Sequence, residues 1–118
     1  TKIADWTHFK SGEFITQQNH NVPTLNLIYN GTVDVTVGNK KVALLKDGQF
    51  VGEMSFLTEK PATATCIAKH DTECLTWEQQ GFKELLKRNP SLYFSIQSLL
   101  SAQVSEALVS SSRNKGEL

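Results

Sequence analysis

Apolar and polar residues alternate with a period of two through the first two-thirds of the chain, and then recur every three to four residues. Phe9 is followed by the turn Lys10-Ser11-Gly12-Glu13 and then by Phe14-Ile15-Thr16. Asn19-His20-Asn21 and Pro23 mark a loop. Leu25, Leu27 and Tyr29 alternate with Asn26, Ile28 and Asn30, and Val33, Val35 and Val37 alternate with Thr32, Asp34 and Thr36. Between these runs stands Asn30-Gly31, a pair that tolerates positive φ and so predicts a tight turn. Gly38-Asn39 and Asp47-Gly48 bracket a further strand from Val42 to Leu45. Residues Gly52 to Pro61 break the alternation, and a short helical turn fits them better. Strand character returns over Ala62 to Ala68 and again over Glu73 to Trp77. Short strands with a turn signal every eight to twelve residues predict a sandwich or barrel.

The last third is helical. Phe82, Leu85 and Leu86 lie on one helix face, and Asn89-Pro90 ends that helix because the proline ring disfavours helical geometry in the residue before it. The next helix carries Leu92, Ile96, Leu99, Leu100, Val104 and Leu108 as a stripe, with Tyr93, Leu100 and Ala107 on a flanking face. Its apolar residues spread beyond one narrow face, so homodimer packing is a second use beside intramolecular core. Residues 1–112 are expected to form one domain, with the strands over about 7–77, helices over about 78–88 and 91–111, and a polar tail at 113–118.

Composition narrows the function classes. The 118 residues suit one domain with one sizeable core. Twelve basic residues balance twelve acidic ones, which gives no electrostatic footprint for wrapping nucleic acid. No stretch approaches the ~20 apolar residues of a membrane span, and no signal peptide is visible. Cys66 and Cys74 are too few for a disulfide framework. They read most simply as two buried, reduced thiols of a cytoplasmic domain, with a bridge across a hairpin as the alternative. No Cys-x-x-Cys or His-x-x-His spacing points to zinc. His8, His20 and His70 are scattered and read as surface or turn residues. No nucleophile elbow or Walker-type loop is present, so no catalytic residue is assigned and no cofactor is implied. Trp6 and Trp77 are expected to fill the core or cap the barrel.

The segment Gly48-Gln49-Phe50-Val51-Gly52-Glu53-Met54-Ser55-Phe56-Leu57, continued by Pro61-Ala62-Thr63-Ala64-Thr65, resembles the phosphate-binding cassette of cyclic-nucleotide-binding domains. Either Val51 is an insertion after the family phenylalanine at Phe50, or Val51 itself fills that place. Gly12, Gly31 and Gly48 fall where the family has turn glycines, and the two terminal helices match its hinge and lid helices. The resemblance implies an eight-stranded antiparallel β-roll of the double-stranded β-helix (jelly-roll) kind, followed by those helices. It implies a regulatory module for cyclic AMP or cyclic GMP rather than an enzyme, with ligand contacts from Gly52, Glu53, Met54, Ser55, Ala62, Thr63, Ala64 and Thr65. Glu53 matches the residue that accepts the ribose 2′-hydroxyl, and a carboxylate suits that task. Backbone donors over residues 52–57 would face the phosphate.

The family arginine is replaced by Ala62, so phosphate binding is expected to be weak. Thr63 and Thr65 offer hydroxyls, and Lys60 is a distant substitute. The lid positions Ala107 and Leu108 lack a hydroxyl, and Ser101 and Ser105 are the nearest alternatives. A dimerisation or protein-interaction module with an empty pocket is the competing expectation. The helical end is also similar to bacterial Popeye-like proteins, a likeness that would put membrane helices in a part of a longer chain ahead of this domain.

Overall fold

The computed structural model describes residues 4–100 and 102. Among these, eight strands form two four-stranded antiparallel sheets. The strands are β1 (Ala4–Phe9), β2 (Phe14–Thr16), β3 (Thr24–Asn30), β4 (Thr32–Val37), β5 (Lys40–Lys46), β6 (Phe50–Val51), β7 (Thr65–Ala68) and β8 (Thr72–Glu78). A short helix α1 (Glu53–Thr58) interrupts them, α2 (Gln79–Lys87) follows, and residues 90–100 form a third helix, α3. One sheet has the order β1-β8-β3-β6 and the other β2-β7-β4-β5. This is the expected β-roll with helices after it.

The turn chemistry explains the topology. Gly31 joins β3 to β4 at φ 146°, and an added Cβ would lie 2.7 Å from the Thr72 Cα. Only a glycine lets the chain pass so close to β8. Gly38 and Gly48 also take positive φ in the turns after β4 and β5.

Strand alternation then sorts side chains into two apolar clusters. Ile28, Val33, Leu45, Val51, Cys66 and Cys74 fill the space between the sheets. Leu25, three residues before Ile28 and so on the opposite face of β3, joins Phe56, Phe82, Leu86 and Leu100 beneath the helices. Both cysteines are buried free thiols, and burial pushes each up to about 11, with the charge of Glu53 a further contribution at Cys66.

Several boundaries differ from the sequence pattern. The sheets run from Ala4 to Glu78 rather than over 7–77, and α2 is one residue shorter at each end than expected. The strand expected over 62–68 begins only at Thr65. Ala62 is instead tied to the loop ahead of β3: its N–H donates to His20 O (2.9 Å) and its carbonyl accepts Asn19 N–H (2.8 Å).

Trp77 stacks on Phe82 against the helices, with centroids 5.2 Å apart. Trp6 is not core. It is 63% exposed on edge strand β1 and meets Tyr29 edge-on. The α3 stripe divides: Ile96 and Leu100 join the helix-side cluster, whereas Leu92 and Leu99 are exposed. Val104, Ala107, Leu108, Ser101, Ser105 and the 113–118 tail lie outside the described residues.

Gly31→Ala should destabilise the domain by about 2–4 kcal/mol, combining backbone strain with a collision against main chain that cannot move aside. Urea denaturation checks this, and a midpoint equal to that of the parent would refute it. Both thiols should resist alkylation by iodoacetamide in the folded state at mildly alkaline pH and react once the domain is unfolded, since the thiolate is the nucleophile and burial suppresses it.

Candidate ligand site

The cassette begins where β6 ends. Its pairing with β3 is regular, with Val51 opposite Asn26 and Phe50 opposite Leu27. Val51 is fully buried between the sheets, while Phe50 packs toward the helices. No register shift interrupts the two pairs.

Gly52 then turns the chain with φ 94°, and its carbonyl accepts the first helical bond from Phe56 N–H at 3.0 Å. A Cβ here would sit 3.0 Å from Thr24 O and 3.3 Å from Val22 Cγ1. Glycine is thus required twice, for conformation and for approach.

Glu53 opens α1 and is half-buried. Desolvation raises its carboxyl above the usual carboxylate range, while backbone hydrogen bonding at Glu53 and Gly52 pulls the other way.

Met54 is half-buried, and its carbonyl accepts the Thr58 hydroxyl at 2.8 Å. Ser55 is buried, and its hydroxyl donates to Lys60 O at 2.6 Å, closing the loop after α1. These two residues therefore shape the cassette through internal bonds.

The closing half is less open than the sequence suggests. Ala62 is only 7% exposed. Thr63 is exposed and Ala64 half-buried, with the Ala64 carbonyl accepting the Thr16 hydroxyl at 3.2 Å. Thr65 alternates with Cys66 and so faces away from the interior. Its hydroxyl accepts Gln18 N–H at 3.0 Å.

The two halves share a seam that the sequence reading passed over as loop. Residues 16–24 touch both: Asn19 and His20 bond Ala62, Gln18 bonds Thr65, and Val22 and Thr24 lie against Gly52. The polar run Gln17-Gln18-Asn19-His20-Asn21 ahead of Pro23 was the available signal.

Lys83 is the basic side chain beside the cassette helix that the structure ties into an ion pair. Lys83 of α2 is largely buried, pairs with Glu59 at 3.1 Å and lies 5.1 Å from the centre of the Phe56 ring. Lys60 lines a cavity of about 430 Å³ with Asn21, Pro23, Ser55 of the cassette, Gln79 and Lys83. Lys41 pairs with Asp34 at 3.2 Å. His8, His20 and His70 are exposed and dispersed. Among the described residues, no group of three or more His, Cys, Asp or Glu is placed to hold a metal. No helix among them is long and apolar enough to cross a membrane.

Comparison with known proteins agrees with this geometry. The model of the family described as "Cyclic nucleotide-binding domain" matches residues 6–89. The chain is 31% identical over 110 residues to a cGMP-dependent protein kinase of Toxoplasma gondii, covering 90% of this chain and 11% of the kinase. It is 31% identical over 80 residues to a cAMP-dependent protein kinase regulatory subunit of Debaryomyces hansenii, covering 66% of this chain and 18% of that subunit. Among solved structures, the Thermus thermophilus catabolite activator protein superposes with a TM-score of 0.74 at 28% identity, over 90% of this chain and 52% of that one. The β-roll with its Gly-Glu turn is the architecture of a regulatory ligand-binding module. The chain belongs to the cyclic nucleotide-binding domain family. It spans less than a fifth of the length of either kinase-related relative.

The raised Glu53 carboxyl has a pH consequence. Its folded-state value exceeds the ordinary 4.5, so the folded state holds more protons between the two values and stability falls as pH rises through that window. Glu53→Gln removes the charge and keeps an acceptor. The variant should melt above the parent at neutral pH, with the gap shrinking as pH falls below the ordinary carboxylate range. A parallel pH dependence of the two melting curves would contradict this.

Proposed function

We propose that the chain is a regulatory ligand-sensing domain, without catalytic activity, that binds cyclic AMP or cyclic GMP weakly at the crevice between Gly52–Ser55 and Ala62–Thr65. It works within a cytoplasmic protein, with residues 1–112 as the sensing unit. The observation that supports the reading is the cassette backbone: Gly52 takes a left-handed turn and α1 follows it with Glu53 as its first residue, although Ala62 stands where the resemblance expects arginine.

Ligand movement of the cassette would reach the helices through aromatic contact. Phe56 of α1 lies 5.8 Å from Phe82 of α2, centroid to centroid, and Phe82 stacks on Trp77. A ligand that draws α1 inward carries this contact with it and shifts the helices between two arrangements. The shift is limited by the ligand's differential affinity for the two states.

A second reading has its own support. Leu92, Phe94 and Leu99 are exposed on α3, with Phe94 at 74%. Such a surface favours a dimerisation or protein-interaction role with an unoccupied pocket.

Titration calorimetry with cyclic AMP and cyclic GMP separates the two readings. Weak heat at high ligand concentration is expected. Ala62→Arg should tighten binding roughly 10–100-fold, the range for one charge-assisted contact to a desolvated phosphate. No heat and no thermal shift at millimolar ligand would leave the interaction reading in place.

A further inference from the structure

We infer that the cavity between the end of α1 and the start of α2 binds a phosphate dianion, free or as a small phosphomonoester. This cavity of about 430 Å³ is lined by Lys60 and Lys83, and Glu59 is the acidic member of the described lining. Of residues 52–55 and 62–65, only Ser55 reaches it, so it lies apart from the crevice between the cassette halves. The chain as a whole is neutral, yet here two lysines stand against one glutamate.

The corner that carries these charges is held in place by hydrogen bonds. α1 ends at Glu59 in the left-handed conformation, φ 60°, where the Glu59 N–H donates to Ser55 O at 2.8 Å. The Ser55 hydroxyl donates to Lys60 O at 2.6 Å. Gln79, at the start of α2, is buried: its N–H donates to Pro23 O at 2.8 Å and its side-chain amide donates to Thr24 O at 3.0 Å. Asn21 and Gln80 add side-chain N–H donors to the lining.

The two ends of the Lys83–Glu59 pair differ. They lie 3.1 Å apart, but the lysine side chain is 16% exposed and the glutamate side chain 72%. Water takes up the glutamate when Lys83 changes partner, and an ion pair with so exposed a member contributes little. Among the described residues, Lys60 has no carboxylate partner. An entering anion must therefore hold Lys83 better than one carboxylate does. A phosphomonoester carries about −1.5 to −2 charge at neutral pH and three acceptor oxygens. It engages Lys83 and Lys60 together, each acting as a compact point charge.

The test titrates the unmodified domain with glycerol 3-phosphate, inorganic phosphate and acetate at constant ionic strength, followed by calorimetry and amide NMR. The two phosphates should bind saturably and shift the amide signals of Asn21, Ser55, Lys60 and Gln80, whereas acetate should not. Tighter binding of glycerol 3-phosphate assigns an ester, and equal or tighter binding of inorganic phosphate assigns the free ion. Lys60→Gln should weaken binding roughly tenfold, the loss of one charge-assisted contact. Glu59→Gln should tighten it about twofold to fivefold by removing the competing carboxylate. Both side chains are exposed, so the variants keep the fold. Variants that bind like the parent, or no saturable binding of either phosphate, overturn the inference.

Discussion

Phe82 sits where three parts of the molecule meet. Its ring stacks on Trp77 at the end of the last strand, contacts Phe56 of the cassette helix, and shares the helix-side cluster with Leu25, Leu86 and Leu100. Aromatic groups of this size supply much of the apolar area that a small domain can bury. Here they also join sheet, cassette and terminal helices in one contact. The Lys83 ammonium reinforces the join from its edge, lying near the Phe56 ring and paired with Glu59. Any displacement of α1 must be answered at α2, because a packed interior resists gradual deformation.

The cassette is built on backbone rather than on side chains. Gly52 turns against Thr24, Ser55 closes the loop through Lys60, and Ala62 is bonded to the segment ahead of β3. That scaffold keeps its shape whatever charge lines it. This separates two properties that are easily merged: the family fold, which depends on turns and packing, and ligand selectivity, which depends on a few facing groups. In this cassette Glu53 opens α1, and position 62 is a buried alanine.

Much of the architecture was legible from residues alone. The Asn30-Gly31 turn, the alternating valines of β4, the break at Gly52 to Pro61 and the Asn89-Pro90 interruption each have a local physical cause, and each appears where the pattern put it. Trp6, expected to fill the core or cap the barrel, is exposed, because hydrophobicity says that a residue favours burial, not whether its sheet edge is covered. The apolar stripe on α3 divides for the same reason: Leu99 and Leu100 are neighbours in sequence, yet one is 60% exposed and the other fully buried.

Local chemistry by itself determined the strands, the turns, the Gly-Glu cassette and the missing cation at Ala62, since each depends on residue type and on neighbours a few positions away. Tertiary structure decided which of those groups meet. It turned Thr65 toward Gln18 and away from the interior, buried Ala62 against residues 19 and 20, made residues 16–24 the seam between the cassette halves, and committed Lys83 to Glu59. These are contacts between distant parts of the chain. Their geometry is set by strand register and helix docking, and neither periodicity nor spacing along the sequence carries that information.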